Sequence, residues 1–131
     1  MARSTAYDKY PEHTLEFESK PASIRVSVGD VVVAETQRGL TLVEARYAPT
    51  VYVPRDDVDF AKLTRVEQTT HCPFKGDANY YDFGGEGDGV GDGEQENPIA
   101  WTYEDPFDQV NELRDCLAFY ADRTTIEALT D

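Results

Sequence analysis

Between Thr69 and Tyr81 the chain gathers an imidazole, a thiol, an ammonium and two phenols, on His71, Cys72, Lys75, Tyr80 and Tyr81. Cys72 follows His71 and stands three residues before Lys75, an electropositive setting that favours a nucleophilic thiolate. The alternative is an inert buried thiol. Cysteine is among the most buried residue types, and neighbours in an extended chain point to opposite faces, which keeps His71 off Cys72. Lys75-Gly76 puts a point charge beside a residue that permits close backbone approach, a combination suited to the anionic end of a ligand. The competing reading is a turn glycine next to a solvated lysine paired with Asp77 or Glu44. Glu44 and Arg46 alternate with Val43 and Ala45, so on a strand they share one face. There they form either a solvent-side pair worth little or part of a groove, with Glu44 as general base or hydrogen-bond anchor. Trp101, Tyr103, Tyr80, Tyr81, Tyr52, Phe119 and Tyr120 exceed what a small core demands, and aromatic rings with polar tips commonly line ligand pockets.

The elements that must position these groups are mostly strands. Leu15 and Phe17 alternate with polar neighbours at the end of a polar segment, 1–20, expected as an N-terminal arm. Ile24 to Val28 alternates in period two, Gly29-Asp30 signals a type II′ hairpin, and Val31 to Thr36 continues as a strand. Arg38-Gly39 reads as a second turn before a strand over 40–46. Val51 to Pro54 reads as another, ended by a proline that cannot donate to a ladder. Asp56 to Leu63 predicts a turn or two of helix, its acids favoured by the N-terminal dipole. The segment around Cys72 reads as a loop leading to a strand over 78–83, and Ile99 to Tyr103 as its pairing partner, with Trp101 and Tyr81 sharing a face. Asp105-Pro106 predicts a short helix with Val110 and Leu113 as its apolar contacts. Cys116 to Tyr120 reads as a last strand and 124–131 as a loosely held tail. Residues 84–97 carry six glycines and five acids with one aliphatic residue, Val90, and read as a flexible loop. Its glycine and aspartate pattern resembles a calcium-binding β-roll, but a single copy cannot complete an ion's oxygen shell, so a solvated acidic loop is preferred.

Composition narrows the function. A chain of 131 residues can bury one proper core without staples, which makes 21–123 a single domain. Twenty-six acids against 12 bases give a net charge of −14, and no basic cluster exists to neutralise phosphates, so nucleic acid is excluded as a partner. No stretch has the length of apolar sequence that a membrane span needs, and no secretory signal opens the chain, so a cytoplasmic location without membrane attachment is expected. Two cysteines, outside any CxxC pair, give neither a disulfide framework nor a structural zinc site. No metal or cofactor is expected.

Several of these runs resemble the family known as domain of unknown function (DUF) 427, also labelled a nucleotidyltransferase family. The resemblance rests on Val31 to Thr36, Leu42-Val43-Glu44, Val51 to Val58, Thr70-His71-Cys72-Pro73-Phe74-Lys75-Gly76-Asp77-Ala78, Ala100-Trp101-Thr102-Tyr103-Glu104-Asp105-Pro106 and Ala118-Phe119-Tyr120. It implies a mainly β fold, the β-tent or Mss4-like arrangement of two antiparallel sheets with one or two short helices, enclosing a groove. It also implies a groove position for Glu44. Two features depart from it: the acidic loop is longer than the family's turn there, and the CxxC pairs that hold zinc in many β-tents are missing. No glycine-rich phosphate cradle or set of paired metal-binding carboxylates supports the nucleotidyltransferase label.

The reading is a small domain that binds or transforms a compact polar small molecule. Glu44, Lys75 and Cys72 are the catalytic candidates, and Tyr52, His71, Gly76, Tyr81, Trp101 and Tyr103 the ligand-binding ones. The alternatives are a protein-interaction module without chemistry, nucleotidyl transfer as the family label has it, and thiol chemistry at Cys72. The charge balance, with only four lysines, also suits a protein that lives in high salt, where counterions screen self-repulsion. The expected outcome is a melting temperature that climbs steeply from dilute buffer to molar sodium chloride, and a flat profile contradicts this.

Overall fold

In the computed structural model, which describes residues 2–84 and 98–129, nine antiparallel strands dominate. They are β1 (Leu15–Phe17), β2 (Ala22–Val28), β3 (Val31–Glu44), β4 (Thr50–Pro54), β5 (Leu63–Cys72), β6 (Gly76–Phe83), β7 (Ala100–Thr102), β8 (Cys116–Phe119) and β9 (Thr125–Ala128). The spatial order is β5-β6-β7-β8-β4-β3-β2-β9, with β1 against the far half of β3. The long strand β3 belongs to two sheets: its first half pairs with β2, its second with β4 and β1. This mainly β architecture of two antiparallel sheets is the one the resemblance implies. A single turn of α-helix, α1 (Ala6–Lys9), and three 3-10 turns complete it.

Period-two alternation explains why both faces of the main sheet are buried. Val53, Leu117, Phe119, Ala100 and Tyr81 face one apolar cluster with Ile24, Val26 and Val33. Their neighbours Tyr52, Ala118, Cys116 and Tyr80 face the other, with Leu42, Tyr103, Val110 and Leu113. Each fully buried Leu or Val contributes about 1.5–3 kcal/mol relative to exposure. Of the two predicted face-sharing rings, Trp101 opposes Tyr80, whereas Tyr81 opposes Ala100. Trp101 and Tyr81 therefore lie on opposite faces, because the β6–β7 register is one residue off the expected one.

Three predicted elements differ. Arg38-Gly39 is not a turn; β3 runs through it. A Cβ on Gly39 would lie 2.7 Å from Val51 Cγ1 and 3.0 Å from the Ala22 carbonyl oxygen, so this glycine serves a close crossing of strands, not a reversal. The segment before Cys72 is strand β5, with Val66 its sole aliphatic residue after Leu63. Six of its ten residues, Glu67 to His71 among them, are exposed at the sheet edge, so it shows little hydrophobic alternation. The expected tail forms β9, pairing Thr125 to Ala128 with β2. Gly29 has a φ of 59° in the expected two-residue turn joining Val28 to Val31. The helix expected over 56–63 is two 3-10 turns, Arg55–Asp57 and Phe60–Lys62, and the one expected from Asp105-Pro106 begins later, as the 3-10 segment Asp108–Leu113 with Pro106 outside it. The glycine-rich loop, and the flexibility expected of it, lie outside the described residues apart from Gly84. Gly39→Ala is expected to lower stability by ~1–3 kcal/mol in urea unfolding, since Val51 and the Ala22 carbonyl cannot both move aside; an unchanged midpoint contradicts this.

Candidate functional site

Leu42 and Glu44, two residues apart on β3, point to the same side of the sheet. So do Tyr52 on β4, Tyr80 on β6 and Trp101 on β7. Lys75 reaches this face from the β5–β6 turn, and Tyr103 from just past β7. With Tyr47, Thr50 and Tyr120 they line one cavity of about 190 Å³. Five of the predicted site residues border or adjoin it directly: Glu44, Lys75, Tyr52, Trp101 and Tyr103. Cys72 stands behind Lys75, its Sγ 3.9 Å from Nζ.

At the closed end of the cavity Lys75 Nζ donates to Glu44 Oε1 over 2.6 Å, both side chains largely sequestered from solvent, with exposures of 10% and 20%. The lysine is thus paired with Glu44, one of the two partners considered for it, but it is buried, not solvated. The other carboxylate oxygen, Oε2, lies 2.7 Å from His13 Nε2, and the His13 ring stacks on Phe74 at 4.2 Å between centroids. Burial alone disfavours the Glu44 carboxylate, but the hydrogen bonds from Lys75 and His13 outweigh it and hold its pKa below the ordinary glutamate value. Burial pushes the Tyr52 and Tyr103 phenols upward, so both stay protonated and available as donors. Trp101 Nε1 donates to Tyr52 Oη over 3.4 Å, and Tyr120 packs against the Trp101 ring at 4.6 Å.

The position of Lys75 is fixed from three directions. Gly76, at a φ of 116°, brings the backbone so close to the 105–107 segment that a Cβ would sit 3.3 Å from the Asp105 carbonyl oxygen. Phe107 N–H donates to the Lys75 carbonyl over 3.0 Å. The N-terminal segment straps the turn from outside. Ser4 Oγ donates to the Pro73 carbonyl over 2.5 Å and Tyr7 Oη to the Phe74 carbonyl over 2.6 Å. Burial, with the nearby Cys72 and Glu44, raises the Tyr7 phenol to about 12.

The remaining predicted residues lie elsewhere. His71 is exposed on the opposite side of β5, where Nδ1 lies 2.7 Å from Asp77 Oδ1; adjacent strand residues diverge, and Cys72 took the inward position. Tyr81 is 7% exposed in the cluster across the sheet and meets Phe60 edge-on. Gly76 makes its close approach to Asp105 and Pro106, not to a ligand space. Arg46 does not share the Glu44 face, because Ala45 takes a φ of 48° and breaks the strand alternation. Arg46 instead borders a shallower depression of about 600 Å³ with Tyr10, Glu12, His13 and Phe74. Cys116 is core, and burial raises its thiol to about 11.

His13, Tyr80, Tyr120 and Tyr47 are the site residues that sequence reasoning did not select. Tyr80 and Tyr120 stood in the aromatic set, but His13 lies in what read as an arm, and nothing local ties it to Glu44, 31 residues away. Among the described residues, no group of three or more His, Cys, Asp or Glu side chains is placed to hold a metal ion, and no helix is long and apolar enough to cross a membrane.

Fold and site together define a mainly β domain with an aromatic-walled cavity bordered by the part-buried Lys75–Glu44 ion pair. Residues 16–130 match the family described as Domain of unknown function (DUF427), and the chain belongs to that family. No curated protein matches the chain.

A carboxylate whose folded pKa lies below its unfolded one contributes stability that is fully present above the unfolded value, about 4.3 for glutamate, and is lost as pH falls through the folded value. Wild type is therefore expected to lose stability to Glu44 protonation in that acidic window, a loss the Glu44→Gln variant lacks. At pH 7 Glu44→Gln leaves the Lys75 ammonium without a counter-charge and is expected to cost ~1–3 kcal/mol. Urea unfolding of both proteins between pH 7 and pH 3 checks this; parallel stability curves contradict it.

Proposed function

We propose that the cavity between β3, β4, β6 and β7 is a binding site for a compact polar small molecule, with Lys75 and Glu44 as its polar floor. The observation that supports this most is the burial of the Lys75 ammonium at the end of a hollow walled by Trp101, Tyr52, Tyr80, Tyr103 and Tyr120. Desolvating a lysine is costly, and a packed apolar residue serves stability at least as well. At about 190 Å³ the hollow falls below the roughly 300–1,000 Å³ of drug-sized pockets, so the ligand is compact. If the bound molecule is transformed, Glu44 is the carboxylate in reach of it and Lys75 the cation. Thiol chemistry is less favoured by the geometry, since Cys72 Sγ stands behind the ammonium. Nucleotidyl transfer finds no second carboxylate among the described lining residues.

A second reading, a protein-interaction module, draws on Tyr10 and Tyr47, exposed by 48% and 64% at the depression beside His13 and at the cavity rim. Such a partner would be lost on Tyr10→Ala, a residue outside the cavity lining, with small-molecule binding spared.

A thermal-shift screen of small polar metabolites tests the leading reading, because a ligand that binds only the folded state stabilises it, by about 2.7 kcal/mol at a hundredfold excess over Kd. At least one compound is expected to raise the melting temperature of wild type and to have no effect on Trp101→Leu. No hit, or equal shifts in both proteins, contradicts the reading.

A further inference from the structure

We propose that the cavity takes an uncharged, ring-shaped polyol of monosaccharide size and not an anion, an inference that rests on the binding reading above. The donors and acceptors that face the hollow carry it. Lys75 Nζ spends one N–H on Glu44 at 2.6 Å and holds Cys72 Sγ at 3.9 Å, which leaves a third N–H for an occupant. Tyr103 is 7% exposed and lines the cavity, yet its hydroxyl has no protein partner among the described residues. Tyr52 Oη accepts from Trp101 and keeps its own proton to donate. On the acceptor side, each oxygen of Glu44 takes one bond, from Lys75 and from His13, and retains lone-pair capacity.

The site therefore offers several donors around one ionised acceptor, with fixed charges that cancel. A hydroxyl both donates and accepts, so neighbouring hydroxyls can satisfy Glu44 and Lys75 together. A carboxylate or phosphate only accepts. Drawn to the Lys75 ammonium, it would bring a second negative charge against Glu44, inside a chain of net charge −14. A cationic amine meets the converse problem at Lys75. The walls agree with a ring: Trp101 and Tyr120 pack at 4.6 Å and present aromatic surface, against which the C–H face of a cyclic polyol lies while its hydroxyls turn to the polar floor. The size agrees as well. A hollow of about 190 Å³ equals about six waters at ~30 Å³ each, room for one sugar ring.

Trp101 is the single tryptophan of the chain, so its fluorescence reports on this cavity alone. Purified protein is titrated with glucose, galactose, mannose, ribose and myo-inositol, and separately with acetate, inorganic phosphate and glycine. A saturable emission change with at least one polyol and none with the charged probes is expected. Tyr103→Phe should weaken that binding roughly five- to tenfold, and Lys75→Met should abolish it. Saturable binding of acetate, phosphate or glycine without a polyol response overturns the ligand class while the binding reading stands. Silence toward every probe also overturns it, and the metabolite screen then decides whether the cavity binds anything. A polyol response unchanged in Tyr103→Phe and Lys75→Met overturns it too, because the sugar is then held elsewhere.

Discussion

A buried ammonium cannot stand alone, and the pairing of Lys75 with Glu44 is the constraint around which this molecule is arranged. Isolated in a low-dielectric setting, either charge costs several kcal/mol, and the cost is offset only when the partner sits at hydrogen-bond distance with its remaining valences met. The 2.6 Å contact joins the end of β3 to the β5–β6 turn, elements separated by β7, β8 and β4 along the connected sheet path. By bringing them together it closes one end of the hollow. His13 completes the arrangement by taking the second carboxylate oxygen, so that Glu44 is held from two sides and keeps its charge.

Much of the surrounding structure serves to hold that pair in register. Gly76 lets the turn lie against Asp105 and Pro106, the Phe107 amide grips the Lys75 carbonyl, and Ser4 and Tyr7 fasten the Pro73 and Phe74 carbonyls from outside. On the β3 side, Gly39 allows the strand to pass between two sheets without a clash, and the left-handed Ala45 ends the strand directly after Glu44. That turn carries Tyr47 to the cavity rim. Side chains in such a site need to be held to within a fraction of an ångström to act on a ligand, and these contacts supply the support.

The parts of this design that were legible in the sequence are those written in local pattern. Strict alternation exposed β2, the run ending at Pro54 marked β4, the run over 78–83 marked β6, Gly29-Asp30 gave the hairpin, and the Lys75, Trp101 and Tyr103 runs pointed to one hollow together with Glu44 and Tyr52. What was hidden depends on long-range geometry. Whether Tyr80 or Tyr81 faces the groove turns on a single residue of register, which alternating aromatics leave open. That His71 and Cys72 diverge follows from strand geometry, but which of the two turns inward does not, and it is Cys72 that does. His13 contributes only after the N-terminal segment has folded back, and β5 and β9 are edge strands whose exposed faces carry no apolar code. Gly39 looked like a turn because a glycine that avoids a collision leaves the same mark in sequence as one that reverses the chain.

The most direct measurement of this account is a double-mutant cycle on Glu44→Gln and Lys75→Met, followed by urea unfolding at neutral pH. Each single change is expected to strand a charge or a polar partner, while the double change removes both, so the double variant should be more stable than the sum of the singles implies by ~1–3 kcal/mol. Losses that add to within about 0.5 kcal/mol would mean that the two residues do not depend on one another, and that the cavity is organised by something other than this ion pair.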